Sequence, residues 1–173
     1  ITSAVIRTNT IDSLMIFTDK GKMYRLLVDN IPVGNNTTKG VSIKTLIEME
    51  ADENPTVIYS IYRDTEAKYV IFITKKGLIK KTSLEEYTKT KKKAGIIAIN
   101  LKENDELASV FLVKNEDILI LTENGYGKKT DIEEYRETKR GSKGVKTINI
   151  SEKNGNVVGF KSTTDEKDIM IIT

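Results

Sequence analysis

The chain of 173 residues is 38% apolar, which is enough to bury a hydrophobic core of single-domain size. Its 28 basic and 25 acidic residues nearly balance, so net charge alone identifies no partner. Because the chain has no histidine and no cysteine, it cannot build a Ser-His-Asp or Cys-His catalytic system, a zinc site of nitrogen and sulfur ligands, or a disulfide-stapled fold. No apolar run approaches the roughly 20 residues of a membrane span and no signal peptide is visible, which favours a soluble cytosolic protein.

A short motif recurs along the chain: an apolar run ends in a threonine, and a glycine turn and a basic stretch follow. Complete copies occupy residues 14–22, 70–78 and 118–126, and a fourth begins at residue 168 and reaches the threonine at 173. The four threonines lie roughly 50 residues apart, a period typical of propeller blades. A second glycine, at positions 40, 95 and 144, follows the first three threonines in the same phase. The chain is therefore built from repeats.

These repeats predict an all-β fold. Gly21, Gly77 and Gly125 stand where tight hairpins need positive φ, and the continuous apolar run 70–73 predicts an inner strand buried on both faces. In the second repeat we expect four strands, at residues 57–62, 68–74, 78–82 and 96–101. A polar residue ahead of acidic ones predicts single helical turns near residues 83–87 and 130–135, and Pro32 and Pro55 are expected in loops.

Basic residues gather at the turns of each repeat, whereas acidic residues such as Glu50, Asp52 and Glu106 stand elsewhere, so charge is expected to be segregated. A single cluster is more simply a solvated rim, since lysines on turns keep sheets from pairing. Clusters at equivalent positions of successive repeats can instead line one perimeter and neutralise a phosphate backbone. The candidate DNA-binding residues are Lys20, Lys22, Arg25, Lys39, Lys75, Lys76, Lys80, Lys81, Lys89, Lys91, Lys92, Lys93, Lys128, Lys129, Lys139, Arg140 and Lys143.

Other residue types carry weaker signals. The glycines beside Arg140 and Lys143 would let backbone N–H groups approach a phosphate, with a plain surface turn as the alternative. A phosphate loop is excluded at 125–130, because Thr122 stands where its first glycine is required. Tyrosines are expected to pack rather than to stack on bases. Paired carboxylates recur without a third ligand, so no catalytic and no metal-binding residue is assigned.

Residues 124–130, 134–135, 140–145 and 154–159 together resemble the fifth blade of the C-terminal domain of bacterial gyrase A subunits. Residues 17–25, 31–32 and 39–40 resemble the second blade, and residues 76–82 and 105–107 the third. The resemblance implies a β-pinwheel, a propeller-like ring of four-stranded antiparallel blades. The whole chain, 1–173, is thus expected to be one incomplete pinwheel domain, with repeats at about 1–54, 55–106, 107–155 and, in part, 156–173.

The resemblance also implies a non-catalytic function, the binding and wrapping of duplex DNA around the basic perimeter, which directs supercoiling by a type IIA topoisomerase. The implied partners are double-stranded DNA and a gyrase B subunit in an A2B2 holoenzyme, with no membrane. No cofactor is expected in this chain, whereas ATP and Mg²⁺ are expected for the parent holoenzyme. The implied location is the bacterial cytoplasm, in association with the nucleoid.

The chain departs from the gyrase pattern in three ways. The first blade with its glutamine-started gyrase box is absent, the last repeat stops at Thr173, and a fourth blade is missing at a join near residues 107–117. We therefore expect a part of a larger polypeptide. The C-terminal domain of topoisomerase IV is an alternative of the same class, and a propeller-like protein-interaction scaffold and a nuclease or other enzyme are alternatives of different classes.

Overall fold

The computed structural model describes residues 5–61, 65–89, 94–168 and 170. Over these residues the chain forms antiparallel strands joined by tight hairpin turns and by longer connections, which confirms the predicted all-β class. The strands are β1 (Ser13–Thr18), β2 (Lys22–Leu27), β3 (Pro55–Ile61), β4 (Tyr69–Thr74), β5 (Leu78–Ser83), β6 (Ile96–Ile97), β7 (Leu107–Val113), β8 (Asp117–Thr122), β9 (Gly127–Thr130), β10 (Val145–Lys146) and β11 (Val157–Thr163). One four-residue helix, α1 (Glu85–Thr88), and three 3-10 turns, Val28–Asn30, Ile43–Thr45 and Ile132–Glu134, complete the elements.

The strands form three sheets, each built around one hairpin. Sheet 1 has the strand order β3-β1-β2-β6, sheet 2 the order β10-β5-β4-β7, and sheet 3 the order β11-β8-β9. Each of the first two sheets therefore takes one outer strand from the start of the next repeat and the other from its end. Sheets 1 and 2 confirm the expected four-stranded antiparallel unit, while sheet 3 has three strands among the described residues.

The four strands expected in the second repeat do not form one sheet. Strands near all four expected positions exist, but β3 pairs with β1 and β6 pairs with β2, so both belong to sheet 1. Only β4 and β5 stay in sheet 2. Sequence order predicted the strands but not their partners, because pairing with the neighbouring hairpin gives the same local strand pattern as pairing within the repeat.

The hairpins form at the three glycines, as predicted. Gly21, Gly77 and Gly125 have φ of 74°, 74° and 79°, a left-handed conformation that suits a residue without Cβ. In each hairpin the glycine N–H donates to the carbonyl of the preceding threonine, as from Gly77 to Thr74 at 3.0 Å. The repeated Thr-x-x-Gly pattern thus records one turn geometry used three times.

Both predicted helical turns are present, and each follows the second strand of its hairpin. In the turn Ile132–Glu134 the Asp131 side chain accepts a hydrogen bond from the Glu133 N–H at 2.8 Å, which is the expected cap. Ser83, the residue expected to cap α1, is instead the last residue of β5, and the N-terminus of α1 has no side-chain cap. The placement of Pro55 in a loop is wrong, because it begins β3; as the first residue of an edge strand it removes no interior hydrogen bond.

Two hydrophobic clusters lie between the sheets and fix their order. Phe17 of sheet 1 meets Phe72 of sheet 2 edge to face, with ring centroids 5.5 Å apart, and Tyr87 of α1 closes this cluster. Ile71 and Ile73 point to the other face of sheet 2 and pack with apolar residues of sheet 3. The run 70–73 is fully buried, which confirms an inner strand covered on both faces. No helix of the described residues is long and apolar enough to cross a membrane.

Candidate nucleic-acid interface

Four of the predicted DNA-binding lysines are exposed, and their ammonium groups have neither a hydrogen-bond acceptor nor a carboxylate partner among the residues that the structure describes. They are Lys39, Lys128, Lys139 and Lys143. Two of them belong to a single loop, residues 139–143, which we call the basic loop. It lies between the 3-10 turn Ile132–Glu134 and strand β10.

The basic loop is held in place from both sides. Arg140 Nη1 donates to the Ile97 carbonyl of β6 at 2.8 Å, and Ser142 accepts at its carbonyl from the Asn100 N–H at 3.1 Å. Just before the loop, the Thr138 N–H donates to the Lys81 carbonyl of β5 at 2.9 Å. The loop therefore bridges sheets 1 and 2 and presents Lys139 and Lys143 to solvent on a fixed backbone. Such preorganised cations can contact phosphates at small entropic cost.

Lysines at the ends of the first two hairpins have partners in the acidic connections instead of standing free. Lys20 lies 2.9 Å from Asp52, and Lys22 pairs with Glu50. In the next repeat Lys75 pairs with Glu106, and Lys76 Nζ donates to the Glu103 carbonyl at 3.1 Å. The expected segregation of charge is wrong at these ends, because the acidic connections fold back onto the hairpins.

The paired groups have shifted pKa values with a common cause. The hydrogen bond between Lys20 and Asp52 raises the pKa of the lysine and lowers that of the carboxyl group. Hydrogen bonds to Glu50 and Glu106 likewise raise the pKa values of Lys22 and Lys75. These ion pairs are exposed, so they contribute little to stability. They do reduce the net positive potential that the hairpin ends present to a polyanion.

Lys80 was expected on the rim, and that placement is wrong. Its side chain is 2% exposed, and its ammonium group donates to the Ala98 carbonyl at 2.9 Å and to the Tyr87 hydroxyl at 3.0 Å. The Phe72 ring lies below it, with the ring centroid 4.8 Å from Nζ. Burial lowers the pKa of Lys80 to about 7. Lys80 therefore connects the hairpin of sheet 2 to the segment that follows β6, the outer strand of sheet 1.

Lys81 is misplaced in the same way, on the opposite face. It is 4% exposed, lies over the Tyr69 ring at 4.5 Å, and donates to the Ile132 carbonyl at 3.2 Å. Glu133, in the same 3-10 turn, lies 3.6 Å from its ammonium group. Lys81 thus connects sheet 2 to the turn that follows the hairpin of sheet 3. Adjacent residues of a strand point to opposite faces, and here each face meets a different neighbour.

The remaining candidates have other local partners. Lys89 pairs with Glu85 at 2.7 Å, Lys129 pairs with Asp165 and with Asp117, and Arg25 Nη1 donates to the Thr88 carbonyl at 3.0 Å. Lys91, Lys92 and Lys93 lie outside the described residues. The contact of each candidate with DNA stays a prediction.

Sequence reasoning missed Glu53, which is fully buried although it stands in an acidic run. Its carboxylate accepts hydrogen bonds from the hydroxyl groups of Thr18 and Tyr24, the latter at 2.7 Å. Burial, with this hydrogen bond next in size, raises the pKa of Tyr24. A threonine that ends each repeated apolar run was the one available signal for a polar anchor at this place. Within the described part of the chain, no three acidic side chains come together as a metal site would require.

The chain matches the family model described as "DNA gyrase C-terminal domain, beta-propeller" over residues 12–52, 68–114 and 116–164. These three segments each contain one of the hairpins β1-β2, β4-β5 and β8-β9. The family match thus recovers the repeat that the threonine and glycine markers indicated.

Two relatives align with almost the whole chain. The DNA gyrase A subunit of Staphylococcus epidermidis is 33% identical over 99% of this chain, and that of Halalkalibacterium halodurans is 34% identical over 96%. The chain spans about a quarter of the length of these relatives, 25% and 26%. The first alignment covers 225 positions although the chain has 173 residues, so its gaps add up to about one repeat.

Solved structures with the same fold include two C-terminal domains. The crystal structure of the C-terminal domain of DNA topoisomerase IV matches with a TM-score of 0.81 and 28% identity, over 91% of this chain and 49% of that one. The E. coli ParC C-terminal domain matches with a TM-score of 0.73 and 13% identity, over 91% of this chain and 64% of that one. With the hairpin repeat, the shared sheets and the family match all in agreement, the chain belongs to the DNA gyrase A C-terminal domain family.

Proposed function

We propose that this chain is a non-catalytic domain that binds duplex DNA and bends it around a basic perimeter for a type IIA topoisomerase. The observation that carries the proposal is the basic loop. It holds Lys139 and Lys143 unpaired and exposed on a backbone anchored to two sheets. Cations on a fixed frame neutralise phosphates without reading bases, which is the chemistry of binding with little sequence preference.

The pairing of the other lysines narrows the expected contact surface. The lysines at the ends of the first two hairpins have partners, and Lys80 and Lys81 are buried. The proposed contacts are therefore the exposed Lys128 together with the basic loop and its equivalents Lys39 and Lys93, which stand just before the second glycine of each repeat and so recur once per repeat. A path that touches one such loop per repeat would follow a curve, so bound DNA is expected to bend.

The salt dependence of DNA affinity tests this proposal. For the Lys139→Ala/Lys143→Ala variant, we expect the slope of log affinity against log salt to fall by about 2, since each lost contact with B-DNA removes about 0.9. The matched control is Lys22→Ala/Lys75→Ala, which removes two lysines that are paired with glutamates and should change the slope little. Equal slopes for both variants would contradict the proposed contact surface.

Wrapping requires a second measurement. Affinity for duplexes of increasing length should rise until the duplex covers the perimeter, and the ends of a labelled duplex should approach each other on binding. If the duplex binds but stays straight, the result would contradict wrapping and would support DNA binding without bending. Direction of supercoiling, a partner subunit that binds ATP with Mg²⁺, and a bacterial cytoplasmic location near the nucleoid are further parts of the proposal that follow from family membership.

A topoisomerase IV subunit is the second candidate of the same class. The observation that favours it is the structural match to a topoisomerase IV C-terminal domain at a TM-score of 0.81. The two candidates differ in the supercoiling that the parent enzyme would produce. Introduction of negative supercoils into relaxed plasmid by the parent enzyme would support gyrase, whereas relaxation and decatenation alone would support topoisomerase IV.

A further inference from the structure

Arg140 is the one arginine of the basic loop, and it is half-buried, whereas the two lysines of the loop are exposed. Its Nη1 atom donates at 2.8 Å to the Ile97 carbonyl, which lies 43 residues away in the chain. Ile97 belongs to sheet 1, whereas the basic loop lies on the connection that leads from sheet 3 to sheet 2. A guanidinium group that donates to a fixed carbonyl loses much of its conformational freedom.

The two ends of the basic loop are attached to sheet 2. Before the loop, the Thr138 N–H donates to the Lys81 carbonyl at 2.9 Å. After the loop, Gly144 lies so close to β5 that a Cβ there would come within 2.9 Å of the Leu78 Cβ and 3.2 Å of the Ile79 carbonyl oxygen. Both ends are therefore fixed by backbone contacts.

The middle of the loop is attached to sheet 1 instead. Among the described residues two hydrogen bonds make this attachment: the one from Arg140, and the one from the Asn100 N–H to the Ser142 carbonyl at 3.1 Å. Nothing lies within 4 Å of the position that a Cβ on Gly141 would take, so packing does not support the loop at this point. Arg140 therefore supplies the side-chain support between the two exposed lysines.

The segment that accepts the Arg140 bond is itself held by two sheets. The Ala98 carbonyl accepts from the Lys80 ammonium group of sheet 2 at 2.9 Å, and the Ala98 N–H donates to the Gly21 carbonyl of sheet 1 at 2.8 Å. Ala98 is fully buried. The adjacent carbonyls of Ile97 and Ala98 thus each accept from one cation, and the partner of Arg140 is a fixed point.

The same segment continues from the basic run of the second repeat. Lys93 stands four residues before Ile97 in the sequence, and β6 begins at Ile96. The Arg140 bond therefore connects the basic loop to the strand that follows the equivalent lysine of the preceding repeat. Contacts with phosphates determine the register of a protein on a duplex, and a link between successive contact segments favours one register.

We propose that Arg140 is a positioning residue rather than a phosphate contact. Its bond to the Ile97 carbonyl holds the backbone of the basic loop, so that Lys139 and Lys143 lose little freedom when they meet a duplex. The inference rests on the proposed function, because it assigns a role within the same DNA-binding surface. One of the predicted DNA-binding residues thereby belongs to the support of the others.

The two roles predict different salt dependence of DNA affinity. A lysine that contacts a phosphate displaces counterions, so Lys143→Ala should lower the slope of log affinity against log salt by about 0.9. Arg140→Ala should instead weaken affinity about tenfold at every salt concentration and leave the slope unchanged. The reason is that the lysines of a loosened loop still reach the phosphates but must first be ordered.

Hydrogen exchange of the chain without DNA measures the positioning directly. Arg140→Ala should speed exchange of the Asn100 and Ser142 amides at least about tenfold, because the hydrogen bonds of both amides depend on the conformation of the loop. The controls are Lys143→Ala and Arg136→Ala, which each remove one exposed cation and should leave both exchange rates unchanged. Urea unfolding of each variant checks that the sheets stay folded.

A slope that falls by about 0.9 in Arg140→Ala would identify Arg140 as a phosphate contact and overturn the inference. Unchanged exchange of the Asn100 amide in that variant overturns it as well. If Lys143→Ala leaves the slope unchanged, the proposed contact surface fails instead, and the exchange rates still decide whether Arg140 holds the loop.

Discussion

Lys80 and Lys81 are adjacent on β5, yet each connects sheet 2 to a different neighbour. The Lys80 ammonium group donates to the Ala98 carbonyl in the segment after β6, and that of Lys81 donates to the Ile132 carbonyl in the 3-10 turn that follows the third hairpin. Their function follows from the alternation of side chains along a strand, since one residue faces one sheet and the next faces the other. Two lysines of identical chemistry to the rim lysines are therefore structural.

The buried Lys80 makes a pH prediction. Its pKa of about 7 in the folded chain lies below the ordinary value of 10.5, because burial disfavours the charge. Between these values the unfolded chain binds a proton that the folded chain has released, so stability rises with pH by up to about 1.4 kcal/mol per unit. Lys80→Met should flatten this rise in the free energy of unfolding measured by urea titration.

The matched control is Lys75→Met, which removes an exposed lysine paired with Glu106 and should leave the rise intact. The series stops near pH 9.5 because burial raises the pKa values of Tyr24 and Tyr87. Above the ordinary tyrosine pKa of about 10, their unfolded forms lose protons that the folded forms keep, and stability falls. A slope that persists in Lys80→Met would show that another group causes it.

At the scale of elements, two separate structural requirements favour glycine in the hairpins. It adopts positive φ, and in the first two hairpins it lets the next repeat's backbone approach. A Cβ on Gly21 would lie 2.7 Å from the Ile99 carbonyl oxygen, and one on Gly77 would lie 3.0 Å from that of Ile148. In the third hairpin Gly125 also has positive φ, but no backbone approaches it, because nothing lies within 4 Å of the position that its Cβ would take.

This difference predicts unequal costs for the same substitution. Gly125→Ala should destabilise by about 1 kcal/mol, the cost of positive φ alone, while Gly21→Ala should cost about 1–2 kcal/mol more because backbone atoms must move. Thermal and urea unfolding at low protein concentration would measure both. Equal losses in the two variants would mean that the Gly21 approach relaxes without cost.

At the scale of the whole molecule, the exchange of strands couples the sheets. Sheet 1 cannot be complete without β6, which follows α1 in the chain, and sheet 2 cannot be complete without β10. The cluster around Phe17, Phe72 and Tyr87 joins the same two sheets through their side chains. Sheets 1 and 2 are therefore expected to unfold in one cooperative transition.

Phe17→Ala tests this coupling. Removing a fully buried ring should cost about 3–5 kcal/mol, and the loss should appear in both sheets at the same denaturant concentration. Hydrogen exchange would follow the amides of β1 and β4 separately. Phe160→Ala, in the half-buried contact with Phe111, is the control and should cost clearly less. Separate transitions for β1 and β4 would contradict the coupling.

Much of the fold could be predicted from local patterns. The hairpins follow from glycine at a fixed distance after threonine, and β4 follows from the continuous apolar run 70–73, because turn geometry and burial act on neighbouring residues. The basic loop was also predicted from sequence, as the Lys139, Arg140 and Lys143 cluster. Lys80 and Lys81 were misassigned, because composition cannot tell which face of a strand will be covered.

The sequence by itself determined the repeat, the all-β class and the family, since each depends on residue types at fixed spacings. Only the tertiary structure decided which lysines remain available to a phosphate backbone and which strands complete each sheet. The physical reason is the same for both: partners roughly 30 to 75 residues apart, such as Lys75 with Glu106 or β2 with β6, meet through packing that no local pattern encodes.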